Sequence, residues 1–179
     1  MKRALLFVLC ASLVSCSHKP PKVPRDGVSD VITGLWKSTD QHSDQPRALV
    51  AIYEYQGEYF GRMLGTYDEN GNFKDTILEQ KDRAPGVVGN PPYCGMDFVF
   101  NVTEDDDEYG KYEGKIIDPQ EGKVYDAELW RDGPDLIVRG KVWIFGKNIT
   151  WFGATPKDLP KGFSMKEINH FIPVVPEAL

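Results

Sequence analysis

Apolar and polar side chains alternate with a period of two through most of this chain, and Gly- or Pro-bearing turns break the alternation at short intervals. That period belongs to strands, not helices. Gly34-Leu35-Trp36 opens the pattern. Residues 47–55 (RALVAIYEY) and 59–66 (YFGRMLGT) follow, joined through a hairpin signal at Gln56-Gly57. Residues 68–72 (DENGN) read as a turn, 73–82 as either a short helix or a strand, and the Pro- and Gly-rich stretch 83–95 as a loop. Residues 96–103 alternate Phe98, Phe100 and Val102, and the acidic run 104–108 reads as a solvated hairpin tip. Residues 111–152 then supply four strands separated by three turns. The sum is about eight strands with almost no helical periodicity, an all-β antiparallel sandwich or barrel.

Within residues 111–152 the turns set registers. A tip at 119–122 pairs Asp118 with Lys123, Ile116 with Tyr125 and Gly114 with Ala127, with Lys115 beside Asp126. A tip at Gly133-Pro134 pairs Arg131 with Leu136, Leu129 with Val138, Ala127 with Gly140 and Tyr125 with Val142. Gly146-Lys147, read as a two-residue turn, brings Ile144 to Ile149 and Val142 to Trp151. A one-residue slip would invert a strand's faces, and all three hairpins agree on one apolar face. That face collects Tyr112, Ile116, Tyr125, Leu129, Leu136, Val138, Val142, Ile144, Ile149 and Trp151. The other carries a charge ladder, Lys115–Asp126–Lys141 with Glu128–Arg139, and also Trp130, Ile137, Trp143 and Phe145. Those four are a patch that either the C-terminal tail or a protein partner should cover.

A row of small residues, Gly114, Ala127 and Gly140, crosses the apolar face. It marks either a sharp bend with close backbone packing or a hollow walled by Tyr112, Tyr125, Val142 and Trp151. The hollow would make Trp36, Tyr112, Gly114, Tyr125, Ala127, Leu129, Val138, Gly140, Val142 and Trp151 the candidate ligand-binding residues.

The N-terminus reads as a targeting segment. Lys2 and Arg3 precede an apolar stretch, residues 4–14, too short to span a bilayer, which takes about 20 residues. Leu13-Val14-Ser15-Cys16 resembles the lipobox of bacterial lipoproteins. The resemblance implies a signal peptide at 1–15, a lipidated Cys16 as the mature N-terminus, and an anchor in the cell envelope. Ser17 after the cysteine favours the outer membrane, facing the periplasm. The alternative is an ordinary cleaved signal with an incidental cysteine. Residues 16–30, with the Pro-rich SHKPPKVPRDGVS, form a tether. The barrel occupies 31–153, and a tail with a short helix, capped at Ser164-Met165-Lys166-Glu167, occupies 154–179.

Removing residues 1–15 leaves 19 basic residues against 27 acidic, a balance that disfavours nucleic acid as a partner. No cofactor is implied. His18, His42 and His170 are scattered, no Gly-x-Ser-x-Gly, His-Glu-x-x-His or phosphate loop is present, and the 68–72 turn lacks the glutamate of a calcium loop. Cys94 has no intrachain partner once Cys10 and Cys16 are accounted for, and reads as a buried hydrophobe. A non-enzymatic monomer is expected.

Gly34-Leu35-Trp36, residues 114–119 (GKIIDP), Gly122-Lys123-Val124-Tyr125, residues 136–140 (LIVRG), Phe145-Gly146 and Thr150-Trp151 together resemble the bacterial domain of unknown function (DUF) 2147 family. The resemblance implies a small secreted antiparallel barrel similar to lipocalins and fatty-acid-binding proteins, with no activity attached. The family's Cys-x-x-Cys is reduced here to Cys94. Similarity to lipocalins would lay Arg139 across Trp36, whereas the hairpin register sets Arg139 opposite Glu128, and the register is preferred. Three functions follow, in this order: binding of a small apolar or amphipathic ligand inside the barrel, binding of an envelope protein through the aromatic patch, and, last, a hydrolase-type enzyme.

Overall fold

Gln56 and Gly57 both adopt positive φ, 53° and 88°, the geometry of a tight hairpin turn that matches strand twist. They join β2 (Pro46–Tyr55) to β3 (Glu58–Tyr67). The structure is a computed structural model that describes residues 31–39, 45–142 and 145–179. The segments expected to be signal peptide and tether, with Cys16, and also Trp143 and Ile144, lie outside the described residues. β1 (Gly34–Thr39) precedes this hairpin, and β4 (Phe73–Thr76), β5 (Asp97–Glu104), β6 (Lys111–Asp118), β7 (Lys123–Asp132), β8 (Asp135–Val142) and β9 (Phe145–Gly153) follow it.

The strands run antiparallel in the order β2-β1-β9-β8-β7-β6-β5-β3-β4, and β2 also pairs with β3. That pairing closes an eight-stranded barrel and leaves β4 as an extra strand on β3. Segment 73–82, which the sequence left between helix and strand, is therefore β4 followed by a turn.

The β6–β7 and β7–β8 registers are those expected, including Gly114↔Ala127↔Gly140 and Glu128↔Arg139. The β8–β9 register is not. Val142 pairs with Phe145, Val138 with Ile149 and Leu136 with Trp151, so Gly146 is a strand residue opposite Lys141 and not part of a turn. This register gives seven continuous pairs, where a turn at Gly146-Lys147 would leave β9 short. Trp151 was expected opposite Val142, where Phe145 stands instead. The offset is even, so Ile149 and Trp151 keep the expected face.

Of the two covers expected for the Trp130/Ile137 side, tail or partner, the C-terminal tail makes its contacts elsewhere. It crosses the outer face of β1, β2, β3 and β5. Lys37 holds Asp158 at 2.6 Å, and a four-residue helix, α1 (Met165–Ile168), is capped by the Ser164–Glu167 box. Phe171 packs edge-on to Tyr53, and Leu179 N–H donates to the Gly86 carbonyl at 3.1 Å. The reason lies in β2. Ala48 through Tyr53 are all buried, an unbroken apolar run in which one face meets the barrel interior and the other needs a cover.

Candidate functional site

One half of the barrel is solid and the other hollow. Leu129, Leu136, Val50, Ile52 and Tyr112 fill the first half. The second is a cavity of about 1360 Å³ built from the end of β1, the start of β2, the end of β3 and the facing stretches of β5–β9. Small-molecule sites usually occupy about 300–1,000 Å³. Met63, Phe98, Ile116, Val138, Ile149 and Trp151 supply the apolar wall. Gly140 leaves room there: a Cβ on it would meet only the Ile116 Cγ2, at 3.8 Å.

The mouth is edged by the loop between β4 and β5. Buried Asp75 shapes that loop by accepting N–H bonds from Thr76 (2.8 Å), Lys81 (3.0 Å) and Asp82 (2.9 Å). Burial pushes its carboxyl pKa up, but the three donors outweigh burial and hold it below the usual range. The loop then clamps the β6–β7 turn. Gly86 N–H donates to the Pro119 carbonyl at 3.0 Å, and Tyr93 Oη donates to Gln120 Oε1 at 2.5 Å. A Cβ on Gly86 would lie 2.1 Å from the Gly122 nitrogen, so only glycine permits this contact. Around the rim stand Arg47, Lys74, Arg83 and Lys147, with Asp82 and Asp118 as the acidic members.

Of the candidate ligand residues, the structure brings Tyr125, Val138, Gly140 and Trp151 to the cavity. Trp36, Tyr112, Ala127 and Leu129 are buried elsewhere in the core, and the Val142 side chain lies outside the described residues. The small-residue row divides by position. A Cβ on Gly114 would meet Val102 Cγ2 at 2.5 Å and Val102 Cα at 2.8 Å, so there the strands pack close. At Gly140 the same row opens onto the hollow. Sequence reasoning missed Met63 and Phe98, which lie outside the four-strand stretch, and the whole rim. Ile116 and Ile149 were on the expected apolar face, and that parity was the signal that could have added them.

Trp36 belongs to the filled end. Its Nε1 donates to the Ile32 carbonyl at 3.0 Å, and the Arg131 guanidinium lies 4.8 Å from its ring centre. The arginine across the tryptophan is thus Arg131. Arg139 stays on the outer face, where it donates to Asn148 Oδ1 at 2.7 Å and pairs with Glu128 at 3.4 Å. The charge ladder centres on Glu128, which also meets Lys141 at 2.7 Å and Lys111 at 3.0 Å. Burial raises the Glu128 pKa, and the bonds from Lys141 and Lys111 outweigh it and leave it lowered. Lys115 pairs with Asp126, while Lys141 turns from Asp126 to Glu128 and Glu113.

Of the expected partner patch, Trp130 and Ile137 lie among the described residues. Ile137 is 8 % exposed, and half-buried Trp130 lies under the Arg139 guanidinium, 5.3 Å away. The Phe145 side chain, like all of Trp143, lies outside the described residues.

Cys94 is fully buried. Burial, then the negative charges of Asp75 and Asp82, push its thiol up to about 12. At pH 8 the thiolate fraction is about a thousandfold below that of a free cysteine. Native protein should therefore leave Cys94 unlabelled by a thiol reagent over a period in which urea-unfolded protein reacts fully. Fast native labelling would show an activated thiol. Among the described residues no three His, Cys, Asp or Glu side chains gather to hold a metal.

An eight-stranded antiparallel barrel, filled at one end by a Trp–Arg stack and hollow at the other, is a lipocalin-like fold. The Helicobacter pylori protein HP1028, described as belonging to the lipocalin family, shares it. Its TM-score is 0.59 at 16% sequence identity, over 79% of this chain and 98% of that one. The chain belongs to the family described as "Uncharacterized protein conserved in bacteria (DUF2147)", which matches residues 34–152. No curated protein matches it.

Proposed function

We propose that this chain is a lipid-anchored cell-envelope protein whose barrel binds a small apolar or amphipathic ligand without converting it. The cavity carries this reading. Its volume of about 1360 Å³ and its Met63–Phe98–Trp151 wall suit burial of an apolar body, and each buried CH₂ contributes about 0.8 kcal/mol. The lipobox at 13–16 supports acylation of Cys16. Residues 17–29 then tether the barrel to the membrane, on the periplasmic side of the outer membrane.

Gly140→Leu tests the reading. The new side chain starts 3.8 Å from Ile116 and grows into open space, so the barrel should keep its melting temperature within a few degrees. Native mass spectrometry of gently extracted wild-type protein should show a co-purified small molecule that the variant lacks. Wild-type protein that is extracted empty and takes up no apolar probe would sink the reading.

A further inference from the structure

We infer that the ligand is an amphiphile with an anionic head group, its chain against the cavity wall and its head held at the mouth by Arg47, Arg83 and Lys147. This rests on the proposed binding role of the cavity and goes beyond it by naming the ligand's charge.

The charges at the mouth run against the rest of the molecule. The whole chain carries a formal charge of −6, yet among the described residues the cavity lining includes four cations, Arg47, Lys74, Arg83 and Lys147, against two anions, Asp82 and Asp118. The cations come from four separate places, β2, β4, the β4–β5 loop and β9, so a single basic run of sequence does not explain their meeting. Both anions are already engaged. Lys74 pairs with Asp82 at 2.6 Å, and Asp118 accepts N–H bonds from Gln120 at 2.8 Å and Glu121 at 3.2 Å. Arg83 is exposed and enters no ion pair among the described residues. Its guanidinium presents the planar donor fork that matches a carboxylate or phosphate. The wall below is apolar, so a ligand that satisfies both zones has an apolar chain and a negative head.

The test uses the full-length chain in phosphatidylcholine nanodiscs, with empty nanodiscs as blank. The probes are 11-(dansylamino)undecanoate, its methyl ester, and hexadecyl phosphate as a competitor. The undecanoate should bind about tenfold tighter than the ester, the scale expected of a few screened rim charges, and the gap should shrink at high salt. Arg83→Glu with Lys147→Glu should bring the acid down to the ester's affinity and leave ester binding intact, which also shows that the variant is folded. Displacement of the ester-insensitive fraction by hexadecyl phosphate would point to a phosphate head, and its failure to a carboxylate; either supports an anionic class. Equal binding of acid and ester by wild-type protein overturns the inference and leaves the cavity reading standing. No binding of either probe overturns both.

Discussion

Asp97→Ala should lower the unfolding free energy by about 3–5 kcal/mol, the usual cost of removing one partner from a buried ion pair. Asp97 is fully buried beneath the tail, and the Arg62 side chain is 7 % exposed. Arg62 donates through Nε to Asp97 Oδ1 at 3.1 Å and through Nη2 to Oδ2 at 2.6 Å. Tyr53 Oη lies 3.0 Å from both carboxylate oxygens. Burial, then the Asp97 charge, raises the Tyr53 pKa, so the phenol stays protonated and donates. The alanine variant would strand a guanidinium, a phenol and a backbone N–H at once, which is why the expected loss exceeds that of an ordinary surface pair.

The same cluster ties down the tail. Val174 N–H donates to Asp97 Oδ2 at 2.5 Å, Arg62 Nη2 donates to the Ile172 carbonyl at 2.6 Å, and the Phe171 ring lies 4.2 Å from the guanidinium carbon. Asp97→Ala should therefore expose residues 160–179 to limited proteolysis at urea concentrations where the barrel is still folded. Arg62→Met combined with Asp97→Leu should cost less than the two single changes added together, because it leaves no unpaired charge. Urea titration of the four proteins measures this. An Asp97→Ala variant within 1 kcal/mol of wild type, with its tail still protected, would refute the account.

This tail shows where the sequence was legible and where it was not. Strand parity depends on neighbours a few residues apart, so the short turns at 119–122 and 133–134 were enough to register β6, β7 and β8. The last hairpin misled because Gly146 carries turn chemistry but sits in a strand, opposite Lys141. The tail's docking site depends on contacts more than 70 residues apart, such as Arg62 with Ile172, and no local pattern encodes those. One trace existed: the unbroken apolar run of β2 signalled a strand buried on both faces.

The candidate site divides in the same way. Tyr125, Val138, Gly140 and Trp151 were within reach because they share one face of a locally registered sheet. The rim was out of reach because it is assembled by the loop at 77–96, held by Asp75 and by the Gly86–Gly122 contact. Glycines at those positions read equally well as ordinary turn residues. Gly114 and Gly140 look identical in sequence, and only the passage of Val102 over one of them separates a tight packing point from a wall of the hollow.

Trp36 gives the sharpest separation between stability and binding. Trp36→Ala should cost about 3–5 kcal/mol, as large buried aromatics do. It empties the filled end of the barrel, strands the Ile32 carbonyl that accepts from Nε1 at 3.0 Å, and removes the ring facing Arg131. Trp36→Phe keeps most of the volume and loses the hydrogen bond and part of the cation–π contact, for about 1–2 kcal/mol. Because the ring lines the core and not the cavity, the phenylalanine variant should bind dansylaminoundecanoate with wild-type affinity. Gly140→Leu should show the reverse, with stability kept and binding lost. If Trp36→Phe instead weakened binding tenfold while melting within a degree of wild type, the ligand would reach the Trp–Arg end and the division of the barrel into a filled half and a hollow half would not hold.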